Sequence, residues 1–242
     1  MIHLAHVTLA AEQFPTREHY PFCLPLLQQT PQVTFPTPLT FFVGENGAGK
    51  STLLEAIAHT CGIHIWGEPP AGRVGPLGRN PYEGLLHRYV RPCWTDGIVP
   101  GSFFAGQIFE HFAELLDRIA EQDPGQLEYF GGKSLVTQSH GESLMSFFTA
   151  RYRIKGLYLL DEPETALSPR RQVDLARLLL AMAAAGHAQF IVATHSPILL
   201  ACPGATIYSF DAAPLRTITF EQTEHYQLYK SFLDDPDRFL NV

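Results

Sequence analysis

The chain has 242 residues, of which 45% are hydrophobic and 17% are charged, and its formal net charge is −7. This composition excludes a disordered chain and predicts one compact domain carrying a smaller subdomain. Because sequence-independent nucleic-acid binding needs clustered Lys and Arg, the acidic balance excludes a general polyanion binder and leaves only a local contact with DNA or RNA.

Targeting and redox signals are weak throughout the sequence. No basic start leads into an apolar run, and no later stretch is apolar for the length of a bilayer crossing. The four cysteines form no CxxC pair and have no metal-ligand spacing, so we expect reduced, packed thiols. We therefore expect a cytoplasmic protein.

Three short apolar runs open the chain and predict strands at Ile2–Leu9, Gln32–Phe35 and Leu39–Val43. We expect them to form a small antiparallel layer. Between the first two runs lies the aromatic group Tyr20-Pro21-Phe22. It either stacks on an adenine ring or anchors a proline-rich loop, and both interpretations stay open.

The segment Thr40–Ser51, TFFVGENGAGKS, places an apolar strand against a glycine-rich turn, and a helical pattern follows over Thr52–Cys61. Such a turn aims backbone N–H groups at phosphates, Lys50 brings a positive charge to them, and the Ser51 hydroxyl can ligate Mg²⁺. The helix N-terminus adds a partial positive charge. The residues expected to contact the nucleotide are Gly44, Glu45, Asn46, Gly47, Ala48, Gly49, Lys50, Ser51 and Thr52.

The middle of the chain is less regular. Prolines and glycines in Gly62–Pro100 argue against a long element there. This segment contains four arginines, Arg73, Arg79, Arg88 and Arg91. They either contact a polyanion or a partner's carboxylates, or they face solvent. A strand is then predicted at Ser102–Gln107, a helix at Ile108–Glu121, and a second helix from about Gly141 with an apolar face of Leu144, Phe147, Phe148 and Tyr152.

The last third alternates strands with a helix. Strands are predicted at Ile154–Leu160, Ala188–Ala193 and Ile207–Phe210, a helix at Gln172–Ala185, and an amphipathic tail from Glu224 that packs across the domain or a partner. This order predicts an α/β fold with a mainly parallel sheet covered on both faces. Ligands of such sheets bind at the carboxyl ends of the strands.

Reactive side chains follow two of these strands. In LYLLDEPE, Asp161 is suited to hold Mg²⁺ through its water shell, and Glu162 can polarise the water that attacks a γ-phosphate. In IVATHSP, His195 reaches the same edge and can donate a hydrogen bond to the γ-phosphate.

A second anion site is predicted at Gln138–Ser143, QSHGES, where Ser139, Gly141 and the first helical N–H groups could bind phosphate. One domain has no need of two γ-phosphate sites. The surplus predicts that each subunit supplies half of a composite site.

The ordered set of motifs resembles the ATP-binding cassette (ABC) ATPase superfamily over nearly the whole chain. GENGAGKS resembles Walker A, SHGES a variant signature, LYLLDEPE Walker B, TALS the D-loop, and His195 the H-loop residue. The resemblance also implies that Gln107 is the Q-loop residue and a further Mg²⁺ ligand. DEPE and THSP resemble stand-alone AAA-domain ATPases and SMC-like heads more than transporter subunits.

The resemblance implies an ABC-type P-loop fold with an N-terminal antiparallel layer and a helical signature subdomain. The nucleotide-binding core would be residues 1–61 and 154–242, with 62–153 inserted. It further implies ATP and Mg²⁺ as cofactors and a head-to-tail dimer that sandwiches two ATP molecules. His140 and Glu142 depart from the usual signature, and no long coiled coil separates Walker A from Walker B.

These features predict a Mg²⁺-dependent ATPase whose homodimer closes on ATP and drives an effector protein or nucleic acid, in DNA repair or defence. The alternative is the ATP-binding subunit of an ABC transporter with a membrane partner. A small-molecule kinase ranks last, because its reaction needs neither a second anion site nor a histidine after the strand.

Overall fold

The computed structural model describes residues 1–65, 80–106, 118, 125, 140–165 and 167–240. Its strands are β1 (Leu4–Leu9), β2 (Gln32–Thr34), β3 (Leu39–Val43), β4 (Val90–Trp94), β5 (Gly101–Ala105), β6 (Gly156–Asp161), β7 (Ala188–Ala193), β8 (Thr206–Ser209) and β9 (Arg216–Ile218). Its α-helices are α1 (Pro25–Gln29), α2 (Lys50–Thr60), α3 (His140–Arg151), α4 (Pro169–Ala184), α5 (Pro197–Leu200), α6 (Glu224–Asp234) and α7 (Asp237–Leu240). Arg73, Arg79, Gln107, Ser139 and almost all of the predicted helix Ile108–Glu121 lie outside the described residues.

The main sheet has the strand order β5-β6-β7-β3-β8-β9. Every neighbouring pair is parallel except β8 and β9. The register pairs Asp161 with Ala193 and Ala193 with Phe42, so β6, β7 and β3 end level with one another. The predicted mainly parallel α/β sheet is confirmed, and its carboxyl edge brings the ends of these three strands together.

A second, antiparallel sheet has the order β2-β1-β4. The expected N-terminal antiparallel layer is confirmed, but one of its predicted members is wrong. Leu39–Val43 lies in the main sheet between β7 and β8, and Val90–Trp94 takes the third place in the small sheet. All five side chains of β3 are buried, as a strand covered on both faces requires.

The main sheet separates two hydrophobic cores. Phe41 belongs to the core shared with α3 and α4, whereas its neighbour Phe42 belongs to the core shared with α2 and the small sheet. The predicted helix near Gly141 is confirmed as α3. Its predicted apolar residues Leu144, Phe147, Phe148 and Tyr152 are all buried.

A fully buried glutamine joins the two sheets. Gln189 of β7 accepts hydrogen bonds from the backbone N–H groups of His3 and Leu4, at 2.7 and 2.8 Å, and donates one to the Leu4 carbonyl at 2.9 Å. A buried amide with satisfied partners favours one register over its alternatives. The small sheet is therefore held in a defined place against β7.

The C-terminal part includes a strand that the sequence pattern did not reveal. Strand β9 pairs antiparallel with β8 and extends the main sheet by one strand before α6 begins. Among the helices that the structure describes, none is both long enough and apolar enough to cross a bilayer.

Candidate nucleotide-binding site

The glycine-rich turn runs from β3 directly into α2. Gly44 and Gly49 have φ values of 151° and 100°, which glycine adopts far more readily than other residues. Gly49 is the N-cap of α2 and has no side chain with which to cap the first N–H groups. The N–H groups and the partial positive charge at the N-terminus of α2 are therefore available to bind an anion.

Lys50 is buried in this turn. Its Nζ donates hydrogen bonds to the carbonyls of Gly44, at 2.6 Å, and Glu45, at 3.0 Å. Burial lowers the pKa of Lys50, while the nearby Glu162 and Asp161 carboxylates act in the opposite direction. The ammonium therefore braces the turn from inside, at the place where the phosphates of a nucleotide would lie.

Asp211 supports the other side of the turn and was not among the predicted residues. Its Oδ1 accepts a hydrogen bond from the Glu45 N–H at 2.8 Å. A Cβ added at Gly44 would lie 2.7 Å from the same oxygen, so glycine is required by the close approach as well as by φ. The sequence signal was present, because Asp211 is a carboxylate that follows a buried strand at the same sheet edge.

The predicted metal ligands Ser51 and Asp161 meet at the end of β6. The Ser51 hydroxyl donates to Asp161 Oδ1 at 3.0 Å. Burial raises the pKa of Asp161 to about 6, and the hydrogen bond from Ser51 acts against that rise. This hydroxyl and this carboxylate converge beside the glycine-rich turn Gly44–Ser51, which we call the phosphate cradle. They fit the oxygen ligands of Mg²⁺. Gln107, the third predicted ligand, lies outside the described residues.

Glu162 has an unusual backbone. Its φ is +46°, and its carbonyl accepts hydrogen bonds from the Thr165 N–H and hydroxyl, at 3.2 and 2.9 Å. A left-handed non-glycine residue costs about 1–3 kcal/mol and persists only where its surroundings hold it. The Glu162 side chain approaches His195, with 3.6 Å between Oε1 and Nε2. Two of the predicted catalytic side chains, Glu162 and His195, are therefore brought together at the sheet edge.

His195 is held from two directions by residues to which the sequence reasoning gave no role. Its backbone N–H donates to Glu164 Oε1 at 2.6 Å. Its Nδ1 lies 3.0 Å from Nε2 of His225, which belongs to α6. Glu164 could have been suspected as the last carboxylate of DEPE, whereas nothing in the sequence relates His225 to His195 across 30 positions.

The remaining predicted residues have these positions. Asn46, Gly47 and Ala48 form the tip of the turn, and Gly141 lies in the first turn of α3, where an added Cβ would meet Arg171 Cγ of α4 at 3.7 Å. Ser139 lies outside the described residues. The Thr52 hydroxyl hydrogen-bonds the hydroxyl of Tyr20.

The aromatic group upstream of the turn is divided between surface and core. Tyr20 is 40% exposed, whereas Phe22 is fully buried and packs against Phe14 and Tyr89. Phe22 thus has the anchoring position that one of the two interpretations predicted. Tyr20 remains at the surface beside Thr52.

Two family models match the chain. The family described as "AAA domain, putative AbiEii toxin, Type IV TA system" matches residues 101–201, which include Asp161, Glu162 and His195. The family described as "AAA domain" matches residues 23–72, which include the glycine-rich turn.

Among proteins of known name, the thiamine import ATP-binding protein ThiQ of Cereibacter sphaeroides is 31% identical over 172 residues, covering 64% of this chain and 69% of ThiQ. The hemin import ATP-binding protein HmuV of Rhodopseudomonas palustris is 32% identical over 164 residues, covering 59% of each chain. The solved structure titled "An inward-facing conformation of a putative metal-chelate type ABC transporter" aligns at TM-score 0.51 and 16% identity, covering 94% of this chain and 88% of that one.

The fold and the site thus define a P-loop nucleotide-binding protein of the α/β class. The structural match supports the fold, and the ThiQ match covers more than two thirds of ThiQ. The chain belongs to the ABC ATPase superfamily.

Proposed function

We propose that this protein is a Mg²⁺-dependent ATPase that works as a head-to-tail homodimer. The observation that carries the proposal is the convergence of two pairs at one sheet edge: Ser51 with Asp161 at 3.0 Å, and Glu162 with His195 at 3.6 Å. The first pair suits a metal ion and the second suits an attacking water and a phosphate oxygen. Both pairs lie beside the turn that carries Lys50.

Each residue has a separate task in this proposal. Lys50 and the N–H groups at the start of α2 bind the phosphates and oppose their charge. Ser51 and Asp161 would hold Mg²⁺, which would supply positive charge against the phosphate oxygens when bound. Glu162 accepts hydrogen bonds from the attacking water and orients it, and His195 donates to a γ-phosphate oxygen.

We infer the dimer from the second anion site predicted at Gln138–Ser143. Gly141 and Ser139 open the signature region, and in a head-to-tail pair they would face the cradle of the other subunit. Closure on ATP and reopening after hydrolysis would then move any partner attached to the two subunits.

The partner we propose is an effector protein or nucleic acid, in repair or defence. Support comes from the DEPE and THSP motifs and from the family match over residues 101–201, whose description includes a toxin. Hydrolysis measured with and without DNA, RNA or an effector tests this part. A rate that responds to none of them would count against it.

The second candidate is the ATP-binding subunit of a transporter. It is favoured by one specific finding: ThiQ and HmuV, both import ATP-binding proteins, match more than half of the chain. Co-purification with an integral membrane protein would favour this candidate over the first.

The test of the dimer uses Glu162→Gln. We expect ATP binding to persist, hydrolysis to fall about 100-fold or more, and the ATP-bound dimer to accumulate because it no longer reopens. The measurement is solution mass by light scattering with and without ATP, alongside phosphate release. Glu12→Gln, at an exposed position just after β1, is the control and should behave as wild type. A Glu162→Gln protein that stays monomeric in saturating ATP would exclude the sandwich dimer.

A further inference from the structure

A histidine on the C-terminal helix reaches the candidate site. His225 lies in the first turn of α6, and its ring centroid is 5.1 Å from that of His195. The facing atoms are Nδ1 of His195 and Nε2 of His225, which are 3.0 Å apart. This distance is that of a hydrogen bond between two imidazole rings.

The start of α6 holds His225 in place. Thr223, which is 1% exposed, caps the helix by accepting a hydrogen bond from the Tyr226 N–H at 3.2 Å. Its hydroxyl also donates to the Phe220 carbonyl at 2.7 Å, and the Phe220 and Tyr226 rings pack 4.8 Å apart. A capped and packed helix start presents the His225 ring from a fixed backbone.

One proton is shared between the facing nitrogens. Burial lowers the pKa of both histidines, which favours two neutral rings. A hydrogen bond between neutral imidazoles needs one N–H and one lone pair. Two arrangements are therefore open, and they place the proton of His195 on opposite nitrogens.

The surroundings select between these two arrangements. The outer nitrogen of His195, Nε2, lies 3.6 Å from Glu162 Oε1, and a carboxylate favours an N–H over a lone pair at that position. Nε2 of His195 and Nδ1 of His225 both lack a hydrogen-bond partner among the described residues, so either arrangement leaves one buried N–H unpaired. The arrangements differ in that an N–H on Nε2 of His195 faces the Glu162 carboxylate, and this places the shared proton on Nε2 of His225.

We propose that His225 is a positioning residue that keeps His195 in the Nε2–H tautomer. Its own N–H donates to Nδ1 of His195, so the remaining proton of His195 must sit on Nε2, the nitrogen that faces Glu162. His195 then presents a donor to a γ-phosphate oxygen, never a lone pair that would repel it. This inference rests on the proposed ATPase function of the site.

The test compares His225→Leu, which has no donor, with His225→Gln, whose amide N–H₂ can replace the Nε2 donor. We expect His225→Leu to lower kcat about tenfold with KM for ATP little changed, because only the orientation of His195 is affected. His225→Gln should retain most of the wild-type kcat. Tyr229→Ala, an exposed change on the same helix, controls for general disturbance of α6 and should leave kcat unchanged.

A spectroscopic readout separates this inference from the ATPase proposal. Nitrogen-15 chemical shifts of His195 in the nucleotide-free wild type should identify Nε2 as protonated and Nδ1 as unprotonated, and His225→Leu should give a tautomer mixture. A protonated Nδ1 in the wild type, or an unchanged tautomer and kcat in His225→Leu, would overturn the role of His225. A wild type with the expected tautomer but no ATP hydrolysis would support the positioning role and contradict the ATPase function.

Discussion

At the scale of single residues, the proposed role of Asp161 as a metal ligand conflicts with the stability of the metal-free fold. Its carboxyl is largely buried at the end of β6, and that burial raises its pKa to about 6 from an ordinary value of 3.8. The fold therefore binds a proton at Asp161 more tightly than the unfolded chain does. An ionised Asp161 therefore destabilises the metal-free protein. The same buried carboxylate is the group to which a cation would bind most favourably.

This conflict predicts that Asp161→Asn stabilises the metal-free protein. Asparagine keeps an oxygen that can accept from Ser51 and carries no charge. The free energy of unfolding should rise by about 1 to 3 kcal/mol at pH 8. Because the cost exists only where the folded carboxyl is ionised, the gain should be full above pH 6 and should vanish towards pH 4.

The measurement is urea denaturation in a chelating buffer at both pH values. Asp96→Asn, at an exposed position, should change the free energy of unfolding by less than about 0.5 kcal/mol. A wild type more stable than Asp161→Asn at pH 8 would contradict the argument.

Sequence reasoning found some site residues and missed others for a physical reason. Ser51, Asp161 and Glu162 sit in local patterns, a turn before a helix and a strand that ends in carboxylates, so their neighbourhood can be predicted from topology. Asp211 had a local signal of the same kind, a carboxylate after a buried strand, and was overlooked. His225 acts through a contact that only the folded chain creates, with a residue 30 positions away. The roles of all these residues stay predictions until they are tested.

At the scale of elements, the small sheet shows what a local pattern cannot decide. Apolar runs predicted strands, but the assignment of Leu39–Val43 to the small sheet was wrong, because an apolar run does not specify the sheet that it joins. Val90–Trp94 escaped prediction because Pro92 interrupts it and cannot donate to a strand ladder. The order β2-β1-β4 places this strand at the sheet's edge, where a proline is tolerated.

The glycine-rich turn permits a prediction at the same scale, because its glycines are required to different degrees. A Cβ at Gly44 would lie 2.7 Å from Asp211 Oδ1 and 2.9 Å from Phe210 Cβ, whereas a Cβ at Gly47 would meet nothing within 4 Å. Gly47→Ala should cost about 1 kcal/mol of stability through its φ of +80° alone. Gly44→Ala should cost about 2 kcal/mol or more, because β8 and the turn must separate.

Separation of the turn from β8 should also disturb the phosphate cradle. We expect Gly44→Ala to weaken ATP binding about tenfold or more relative to Gly47→Ala, measured by titration calorimetry alongside thermal unfolding. Equal effects of the two substitutions would show that contact with Asp211 does not shape the turn.

At the scale of the whole molecule, the proposed dimer would complete each site with residues of a second chain. The charged and polar side chains described above lie on one side of the cradle: Lys50, Ser51, Asp161, Glu162 and His195. Gly141 lies in the first turn of α3, and a Cβ added there would lie at ordinary contact distance, 3.7 Å, from Arg171 Cγ of α4. An added Cβ at Gly141 therefore needs no displacement of Arg171, and we expect the main effect of a charge there to fall on a phosphate brought by another subunit.

Subunit mixing tests this arrangement directly. Lys50→Ala disables the cradle of its own chain, and Gly141→Asp places a negative charge where the partner's phosphate would bind. Each variant alone should be folded and should hydrolyse ATP poorly. In a mixed dimer, the intact cradle of the Gly141→Asp subunit faces the intact signature of the Lys50→Ala subunit, so one of the two composite sites is complete. With equal amounts and random pairing, phosphate release should recover to about a quarter of the wild-type rate.

A mixture of Lys50→Ala with Asp161→Asn is the matched control, because both changes lie in the same half of the site and no pairing restores it. Recovery in both mixtures, or in neither, would contradict a site built from two subunits.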